Sequence, residues 1–506
     1  MRALISVYRK EGIERLAKAL QELGYEIIST GGTARYLKEK GISVVEVSEI
    51  TEFPEILEGR VKTLHPKIHG GILYRDWVKK DEEEIQRLGI KPISVVVVNL
   101  YPFEEKLKEG LEDKELMEFI DIGGPTLIRA AAKNFFRVLV LVDPEDYDWA
   151  VEKLKSGNLT LQDRAYLAWK AFSHTAYYDG VISQAFKKLY SINSFNKEEA
   201  LPLKLSKELR YGENPHQRGY LYLNPLEELG IARSEVLQGK EMSFNNYLDA
   251  DSAVRLLLEF PNDKVCVIVK HNSPCGVAIG KTTKEAFLRA KEADPVSAFG
   301  GIVAFNDVVD LETAKELSSM FLEVVIAPDY EPAALEELKK KKNLRVIRFY
   351  GLQYGFDIKK VSGGFLLQEE DSLLYEKLEF VTEKRPTDSQ MRDLIFAWKV
   401  VKHAKSNAVV IAKEGQTLGI GTGNVSRIDA LKCAIKKAQE LGFDLKGAVV
   451  ASEAFFPFRD SIDEMAKVGI SAVIQPGGSI RDREVIEACN EHGIAMVFTG
   501  TRHFRH

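Results

Sequence analysis

The stretch Cys266–Gly276, CVIVKHNSPCG, decides the fold because a continuous apolar run ends abruptly in polar residues. The run fits a buried strand, and Asn272 and Pro274 are predicted to end that strand. Lys270 and His271 then lie at its carboxyl end, where open α/β sheets form their ligand crevices. Adjacent Lys and His are suited to proton transfer, and a surface Lys beside a loop His is the alternative interpretation.

The same pattern recurs further along the chain. Three segments are echoed in the same order: 266–280 by 409–423, 301–305 by 447–451, and 324–328 by 472–476, at offsets of 143, 146 and 148 residues. Conserved order and spacing predict two related αβ repeats. The second repeat has Lys413 and Glu414 in place of Lys270 and His271. A cleft between the repeats is the predicted place for a site.

The first part of the chain follows another pattern. Residues 1 to about 150 alternate strand-like and helix-like segments, which predicts a doubly wound parallel sheet. TGGT at 30–33 exposes backbone N–H groups that can hold an anion, or it is a plain tight turn. GRVKTLHP at 59–66 is either a phosphate-binding wall or a solvated basic loop. A later strand ends in NLYPF, which predicts that Asn99 and Tyr101 lie at the ligand edge.

Three further segments carry candidate residues. DIGGPTLIRAAAK at 121–133 combines an acidic residue and a glycine pair with a predicted helix. Arg129 and Lys133 share one side of that helix, where they either face a common anion or form a solvated surface. LRYGENPHQ at 209–217 is dense in side-chain donors, as binding loops are. FFPFRD at 455–460 could cover a flat ring or belong to the core.

Composition excludes several classes of protein. With 506 residues, 45% of them hydrophobic and 29% charged, the chain is predicted to be a globular protein of several domains. A formal net charge of -5 argues against a nucleic-acid partner held by bulk electrostatics. Four cysteines without paired spacing predict reduced thiols, and no apolar run is long enough to span a membrane. The expected location is the cytoplasm.

A boundary between domains is predicted where the hydrophobic period is lost. The stretch 190–205 gains Asn, Ser, Lys and Pro, which is typical of a linker. The predicted domains are 1–195 and 196–506. Within the second domain, the repeats are predicted at about 205–380 and 385–506.

Together these motifs resemble one family along essentially the whole chain. RVKTLHP, NLYPF, DIGG…RAAAKN, LRYGENPHQ, KHNSPCG, KSNAV, FFPFRD and the C-terminal RHFRH occur in one order. They resemble the bifunctional purine-biosynthesis enzymes that join aminoimidazole carboxamide ribonucleotide (AICAR) formyltransferase to inosine monophosphate (IMP) cyclohydrolase. The resemblance implies that 1–195 is a methylglyoxal-synthase-like cyclohydrolase domain. It implies that 196–506 is a duplicated, cytidine-deaminase-like formyltransferase domain.

The resemblance also implies the cosubstrate and the partners. The formyl donor is expected to be 10-formyltetrahydrofolate, with no catalytic metal. The chain is expected to form a homodimer with formyltransferase sites at the subunit interface. The expected substrates are small nucleotides and folates, with no nucleic-acid or membrane partner.

For formyl transfer, the resemblance implies three catalytic residues. His271 takes the amine proton, Lys270 stabilises negative charge or protonates the folate nitrogen, and Asn407 orients the carboxamide. The implied AICAR contacts are Arg210, Tyr211, His271, Gly300, Glu323, Asn407, Arg427, Phe455 and Arg502. The implied folate contacts are Ile428, Asp460, Ser479 and Ile480.

For cyclisation, the resemblance implies that Lys133 is the proton donor and acceptor. The implied helpers are Lys62, Tyr101 and Asp121. The implied nucleotide contacts are Thr30, Gly31, Gly32, Thr33, Arg60, Lys62, Thr63, Asn99, Asp121 and Ile122. SVYRK at 6–10 departs from the family's SVSDK, so the resemblance implies no contact for Tyr8 or Arg9.

Three other functions are weighed against this one. A zinc deaminase needs a P-C-x-x-C pair, and Cys275 is followed by Ala278 where the second thiolate would stand. A nucleotide sensor that lacks one or both activities has no need for Lys133, Lys270 and His271. A methylglyoxal synthase is conceivable from the fold alone, but fold does not determine function.

Overall fold

The structure is a computed structural model that describes residues 1–192 and 194–506. Asn193, within the predicted linker stretch, lies outside the described residues. The chain forms two compact units. The first comprises Met1–Lys204 with Asn224–Leu226, and the second Leu205–Leu223 with Glu227–His506. The predicted boundary at 195/196 stays a prediction.

The first unit is built on a five-stranded parallel sheet in the order β3-β2-β1-β4-β5. Its strands are β1 (Arg2–Val7), β2 (Glu26–Ser29), β3 (Val44–Glu46), β4 (Ile93–Asn99) and β5 (Leu139–Leu141). Its helices are α1 (Ile13–Glu22), α2 (Gly31–Glu39), α3 (Val47–Thr51), α4 (Pro66–Leu73), α5 (Lys79–Arg87), α6 (Phe103–Lys108), α7 (Asp113–Met117), α8 (Gly123–Lys133), α9 (Tyr147–Ser156) and α10 (Leu161–Leu189). The predicted doubly wound sheet is confirmed.

The two central strands of this sheet are β1 and β4. β1 and β4 lie side by side, and their apolar residues are almost all buried, as in parallel sheets covered on both faces. The strand order reverses between β1 and β4, and a ligand crevice is expected at that switch point. Helix α10 runs over 29 residues to Leu189. Its Tyr178 hydroxyl donates to Phe119 O and accepts from Asp121 N, so it fixes the loop before α8.

The second unit contains a mixed twelve-stranded sheet in the order β16-β21-β20-β19-β17-β18-β10-β9-β11-β12-β13-β8. The strands are β6 (Lys204–Leu209), β7 (Gly219–Leu223), β8 (Glu235–Gln238), β9 (Val265–Lys270), β10 (Ser273–Ile279), β11 (Ile302–Phe305), β12 (Val324–Ala327), β13 (Arg345–Arg348), β14 (Phe356–Val361), β15 (Gly364–Glu369), β16 (Glu379–Phe380), β17 (Val409–Lys413), β18 (Gln416–Gly421), β19 (Val449–Ser452), β20 (Ala472–Gln475) and β21 (Ala495–Phe498). The helices are α11 (Phe244–Leu257), α12 (Thr283–Glu292), α13 (Pro295–Ala298), α14 (Leu311–Ser318), α15 (Pro332–Leu338), α16 (Asp388–Lys402), α17 (Arg427–Glu440), α18 (Asp460–Lys467) and α19 (Asp482–His492).

The predicted repeats are confirmed by this topology. Strands β9, β10, β11, β12 and β13 of the first repeat correspond in order and pairing to β17, β18, β19, β20 and β21 of the second. Antiparallel pairing of β10 with β18 joins the two halves into one sheet. Corresponding strands therefore run in opposite directions, and equivalent ends of the two repeats lie at opposite edges of the sheet.

Two small sheets complete the second unit. β6 pairs with β7, and β14 pairs with β15 in an antiparallel hairpin. Among the described residues, no helix combines the length and the apolar character needed to cross a bilayer.

Candidate active sites

The first unit has a cavity of about 640 Å³ at the switch point between β1 and β4. This volume lies within the usual range for small-molecule sites. The predicted helper Tyr101 lines it, together with nine of the ten predicted nucleotide contacts: Thr30, Gly32, Thr33, Arg60, Lys62, Thr63, Asn99, Asp121 and Ile122. Gly31 lies beside it, since a Cβ at Gly31 would stand 3.1 Å from Lys62 Nζ. Tertiary structure thus gathers residues that are 92 positions apart in the sequence.

Two helix N-termini border this cavity. Helix α2 begins at Gly31, and its N-cap Thr30 makes no side-chain capping bond. Helix α8 begins at Gly123, and both Gly123 and Gly124 line the cavity. Free N–H groups at helix N-termini favour an anion, and a phosphate group is the ligand best suited to them.

Two lysines add positive charge to this wall. Lys10 Nζ donates to Thr33 Oγ1 at 3.0 Å, and Lys62 Nζ lies 3.7 Å from Glu55 Oε2. Burial and the nearby charge of Lys62 lower the pKa of Lys10. A bound anion would relieve this repulsion. Lys10 was not predicted as a site residue, although it belongs to the SVYRK segment at 6–10, which begins in the last residues of β1.

Asp121 and Tyr101 are groups in the cavity wall that can exchange protons. Asp121 Oδ1 accepts from Gly124 N at 2.8 Å, and its Oδ2 accepts from Tyr101 N at 3.3 Å. Burial raises the pKa of Asp121, and the two amides and Lys62 offset part of that rise. Burial and the charge of Asp121 raise the pKa of Tyr101. A carboxyl group with a raised pKa can exchange a proton closer to neutral pH than an ordinary aspartate can.

The segment SVYRK differs from the family's SVSDK in its side chains at positions 8 and 9, whereas the hydrogen bonds of these residues to Asn99 use the backbone. Asn99 Oδ1 accepts from the backbone N–H groups of Tyr8 and Arg9, at 2.6 and 3.0 Å, and Asn99 Nδ2 donates to Arg9 O. These bonds involve only the backbone of residues 8 and 9. The Tyr8 ring lines the cavity and meets the Tyr101 ring edge-on at 5.8 Å, whereas Arg9 pairs with Glu105.

Lys133 does not line the cavity. It is the exposed last residue of α8, and this helix meets the cavity through its first residues. Eleven helical residues separate the two ends by about 15 Å. Arg129 is also exposed and lies over the Phe172 ring, so these two cations face away from the cavity of their own chain.

The predicted formyl-transfer residues of the first repeat lie at one edge of the twelve-stranded sheet. Lys270 ends β9, and β11 starts beside it because Ile302 pairs with Val269. Gly300 and Glu323 precede β11 and the parallel strand β12, so they lie at the same edge. Backbone bonds connect this edge: Gly300 N donates to Phe321 O, and Glu323 N donates to Gly301 O.

The second repeat contributes to the same edge with the opposite ends of its strands. Val409, at the start of β17, pairs with the last residues of β18 and β19. Asn407 lies just before this start. The other predicted residues lie in the loops that follow β18, β19, β20 and β21 or in the first turns of the helices α17 and α18: Arg427, Ile428, Phe455, Asp460, Ser479, Ile480 and Arg502. Ile480 and Arg502 are exposed in the single chain.

Lys270 and His271 lie where the apolar strand ends, and the chain turns back there in a hairpin. The strand ends before Asn272, as predicted, whereas the return strand β10, which contains Pro274, was not predicted. Proline is tolerated there because the register shifts directly after it, as at a bulge. Lys270 Nζ donates to Phe299 O at 2.7 Å. Lys270, His271 and Thr422 help to line a cavity of about 160 Å³ between the repeats, which is smaller than a usual ligand site.

Asn407 is held by a buried ion pair. Arg427 pairs with the fully buried Glu453 and donates to Asn407 Oδ1 at 2.8 Å. Since a guanidinium only donates, this contact fixes which amide atom of Asn407 faces Arg427. Asn407 Nδ2 donates to Asn424 O at 3.0 Å, which leaves its second N–H for another acceptor. Glu453 also accepts from Ala408 N, as Asn306 accepts from Val265 N in the first repeat.

Breaking this ion pair tests how strongly the region depends on it. Glu453→Gln is expected to lower the free energy of unfolding by about 3–5 kcal/mol, because Arg427 would keep a buried charge without its partner. Urea denaturation of the variant measures this loss. The double variant Glu453→Gln/Arg427→Met removes both charges and is expected to lose less. An equal loss in both variants would contradict the charge-based explanation.

The loop 209–217 approaches helix α11. Arg210 follows β6, and its guanidinium lies 5.5 Å from the centre of the Tyr211 ring. Asn245 Nδ2, at the start of α11, donates to Glu213 O at 3.2 Å. Arg210 is exposed and Tyr211 half-buried, so both are accessible to a ligand.

The metal chemistry of a deaminase does not fit these residues. Among residues 1–192 and 194–506, no group of three or more His, Cys, Asp or Glu side chains is placed to hold an ion. Burial raises the pKa of Cys275 to about 12, so its thiol stays protonated at neutral pH. A deaminase zinc site also needs a second thiolate, and Ala278 stands where that cysteine would be.

Comparison with known proteins connects both sites to one family. The family model described as "MGS-like domain" matches residues 12–126, and the one described as "AICARFT/IMPCHase bienzyme" matches residues 131–437. The second match covers more than half of the chain. The chain belongs to the AICARFT/IMPCHase bienzyme family. Members of this family carry AICAR formyltransferase and IMP cyclohydrolase activities in purine biosynthesis, and this chain is an enzyme of that kind.

Relatives of the AICARFT/IMPCHase family match over the full length. The "Bifunctional purine biosynthesis protein PurH" of Aquifex aeolicus is 81% identical over 506 residues, which is 100% of both chains. The proteins of that name from Persephonella marina and Caldicellulosiruptor saccharolyticus are 55% and 53% identical, and each match covers 100% of this chain and 99% of theirs. The match to residues 12–126 confirms the predicted methylglyoxal-synthase-like domain.

Proposed function

We propose that the first unit performs the cyclisation in its cavity and that the second unit performs formyl transfer at the described edge of its sheet. The observation that carries this proposal is the cavity at the β1/β4 switch point. It combines two helix N-termini and two lysines, suited to a phosphate, with Asp121 and Tyr101, suited to proton transfer. The resemblance implies the same residues for IMP cyclohydrolase chemistry.

In the proposed formyl transfer, the amine nitrogen of AICAR attacks the formyl carbon of 10-formyltetrahydrofolate. The bond from that carbon to the folate nitrogen breaks, and tetrahydrofolate leaves. The amine is a poor nucleophile because its lone pair is delocalised, so its proton passes to His271 as the bond forms. Lys270 stabilises the developing oxyanion or returns a proton to the folate nitrogen. The remaining N–H of Asn407 orients the substrate carboxamide.

In the proposed cyclisation, the carboxamide nitrogen attacks the new formyl carbon, and one water molecule is lost. The step requires proton transfer and oxyanion support but no metal. Asp121 and Tyr101 are positioned to move protons, and Lys62 supplies positive charge. The half-buried environment of Asp121 supports this role because it raises the pKa of the carboxyl group.

We propose a formyl-folate as the second substrate of the second unit, with Ile428, Asp460, Ser479 and Ile480 as its contacts. Ile428 and Asp460 lie in the first turns of α17 and α18, and Ser479 and Ile480 lie in the loop after β20, all at the edge that also carries Asn407. A flat pterin could pack against the exposed Phe455 ring while Asp460 binds its polar edge.

A two-product assay tests the proposed function. The protein is mixed with AICAR and 10-formyltetrahydrofolate, and tetrahydrofolate and IMP are followed separately, before and after dialysis against a chelator of divalent metals. Both products are expected in both samples. Tetrahydrofolate without IMP would contradict cyclisation in this chain, and absence of both products would favour the sensor. Loss of activity after dialysis would contradict a metal-free mechanism.

We also propose a homodimer located in the cytoplasm. The hairpin of β14 and β15 exposes large apolar side chains, with Phe365 63% and Leu366 60% exposed. A two-stranded hairpin is only marginally stable unless something covers it. The small volume of the cavity beside Lys270 also suggests that one chain does not enclose a nucleotide alone. A second copy could supply both the cover and the missing walls.

A further inference from the structure

The turn that carries His271 has an unusual backbone. His271 and Asn272 form the two-residue connection between β9 and β10, and their φ angles are 53° and 60°. Two-residue hairpin turns of this kind require positive φ at both positions, where glycine and asparagine are favoured. Positive φ is uncommon for a residue other than glycine, although histidine adopts it more often than most. Contacts from another part of the structure can therefore help to hold the turn.

Helix α11 holds it through Asp249. Asp249 Oδ2 accepts from His271 N at 3.2 Å, and Asp249 Oδ1 accepts from Asn272 N at 2.7 Å. Ser252, one helical turn further on, donates from Oγ to Asn272 O at 3.3 Å. One carboxylate thus satisfies both N–H groups of the turn. Charged acceptors bind N–H groups more strongly than neutral ones do.

The second repeat contains the same arrangement without the histidine. Asp393 on α16 accepts from Glu414 N at 2.8 Å and from Gly415 N at 2.9 Å. The φ angles of Glu414 and Gly415 are 52° and 67°. Here the second turn position is glycine, which adopts positive φ without steric cost. In the first repeat this position is Asn272, which also tolerates positive φ, so each turn is held by one aspartate in the same way.

The two turns differ in location as well as in sequence. Corresponding strands run in opposite directions, so Glu414 lies at the edge opposite the one that carries His271, Gly300 and Asn407. The chain therefore holds two copies of one structural device, of which only one lies at the proposed formyl-transfer site. A purely structural role predicts equal importance for both copies.

We propose that Asp249 is a positioning residue for formyl transfer. It holds the His271–Asn272 turn so that the side chains of His271 and Lys270 are correctly placed against the substrate. This inference rests on the proposed role of His271. Asp249 contacts the backbone of the turn and not the reacting atoms. Small displacements of a proton-transfer group reduce the rate steeply, so loss of these two bonds acts mainly on the chemical step.

Asp249→Ala and its matched control Asp393→Ala test the proposal. Asp249→Ala is expected to lower kcat of formyl transfer by about 10–100-fold, with a smaller change in KM for AICAR. Cyclisation of supplied formylated nucleotide is expected to stay within about twofold. Asp393→Ala loses the same kind of backbone contacts, so it is expected to lower Tm comparably while formyl transfer stays within about twofold.

A rescue variant separates positioning from stability. In the Asp249→Ala background, Asn272→Gly gives the turn the residue that the second repeat uses, and kcat is expected to recover in part. If Asp249→Ala does not fold, Asp249→Asn, which keeps one acceptor oxygen, is measured in its place with Asp393→Asn as control. Equal kinetic losses at the two aspartates, or unchanged kcat at Asp249, would overturn the inference.

His271→Ala distinguishes this inference from the proposed function. Loss of formyl transfer in His271→Ala together with unchanged kcat in Asp249→Ala would overturn only the positioning role. Unchanged formyl transfer in His271→Ala would overturn the role of His271 itself and, with it, the inference about Asp249.

Discussion

Replacing His271 with alanine is expected to lower formyl transfer by about 10²–10⁴-fold, the usual contribution of a general base. The amine of AICAR cannot attack while it keeps its proton, and no other imidazole belongs to the hairpin turn. Lys270 remains, but its Nζ already donates to Phe299 O, so it is held as a hydrogen-bond donor and does not replace the base. The measurement is tetrahydrofolate release with AICAR and 10-formyltetrahydrofolate at saturating concentrations.

Two controls make this result specific. Cyclisation of supplied formylated nucleotide is expected to be unchanged in His271→Ala, since the predicted cyclisation residues lie in the other unit. Glu414→Ala alters the equivalent turn at the opposite edge of the sheet and is expected to leave formyl transfer within about twofold. Equal loss of both activities in His271→Ala would count against two separate sites.

Replacing Lys133 with alanine is expected to make the formylated intermediate accumulate. Formyl transfer continues, while ring closure loses its proposed proton donor and slows by about 10²-fold or more. Separation of the nucleotides after a fixed time measures the ratio of intermediate to IMP. Continued fast formation of IMP would remove Lys133 from the mechanism.

The location of Lys133 also leads us to expect that the cyclisation site is shared between two copies of the chain. Because it is exposed at the far end of α8, its action in cyclisation requires a cavity on another copy of the chain. The exposed rings of Trp77 and Phe136, which meet near the end of this helix, are suited to such a contact. Lys133 would then complete the wall formed by Asp121 and Tyr101 of the second copy.

Mixing two inactive variants tests this arrangement. Lys133→Ala and Asp121→Asn are unfolded together, refolded and assayed for cyclisation. Random pairing in a dimer gives one intact site in half of the molecules, so about a quarter of the wild-type activity is expected. The refolded species should have twice the 56.9 kDa mass of one chain. No recovery in a sample of dimeric mass would contradict sharing of the site between copies.

The repeats show how far local sequence carries a prediction. Their order and offsets are visible in the apolar segments alone, because buried strands require such residues wherever they occur. The return strand β10, with Pro274 near its start, was not predicted, since a proline in a strand depends on a bulge that the partner strand determines. Asp249 and Asp393 were missed for a similar reason: their partners are backbone amides more than 20 residues away.

Sequence by itself determined the doubly wound first domain, the duplication of the second, and the residue types available for proton transfer and phosphate binding. These follow from hydrophobic periodicity and from motifs that are contiguous in the chain. Only the tertiary structure decided that Thr30, Arg60 and Asp121 share one cavity, that Lys133 faces away from it, and that one repeat's strand ends meet the other's strand starts. Sheet order and strand direction fix those positions, and both arise from long-range pairing that no local pattern contains.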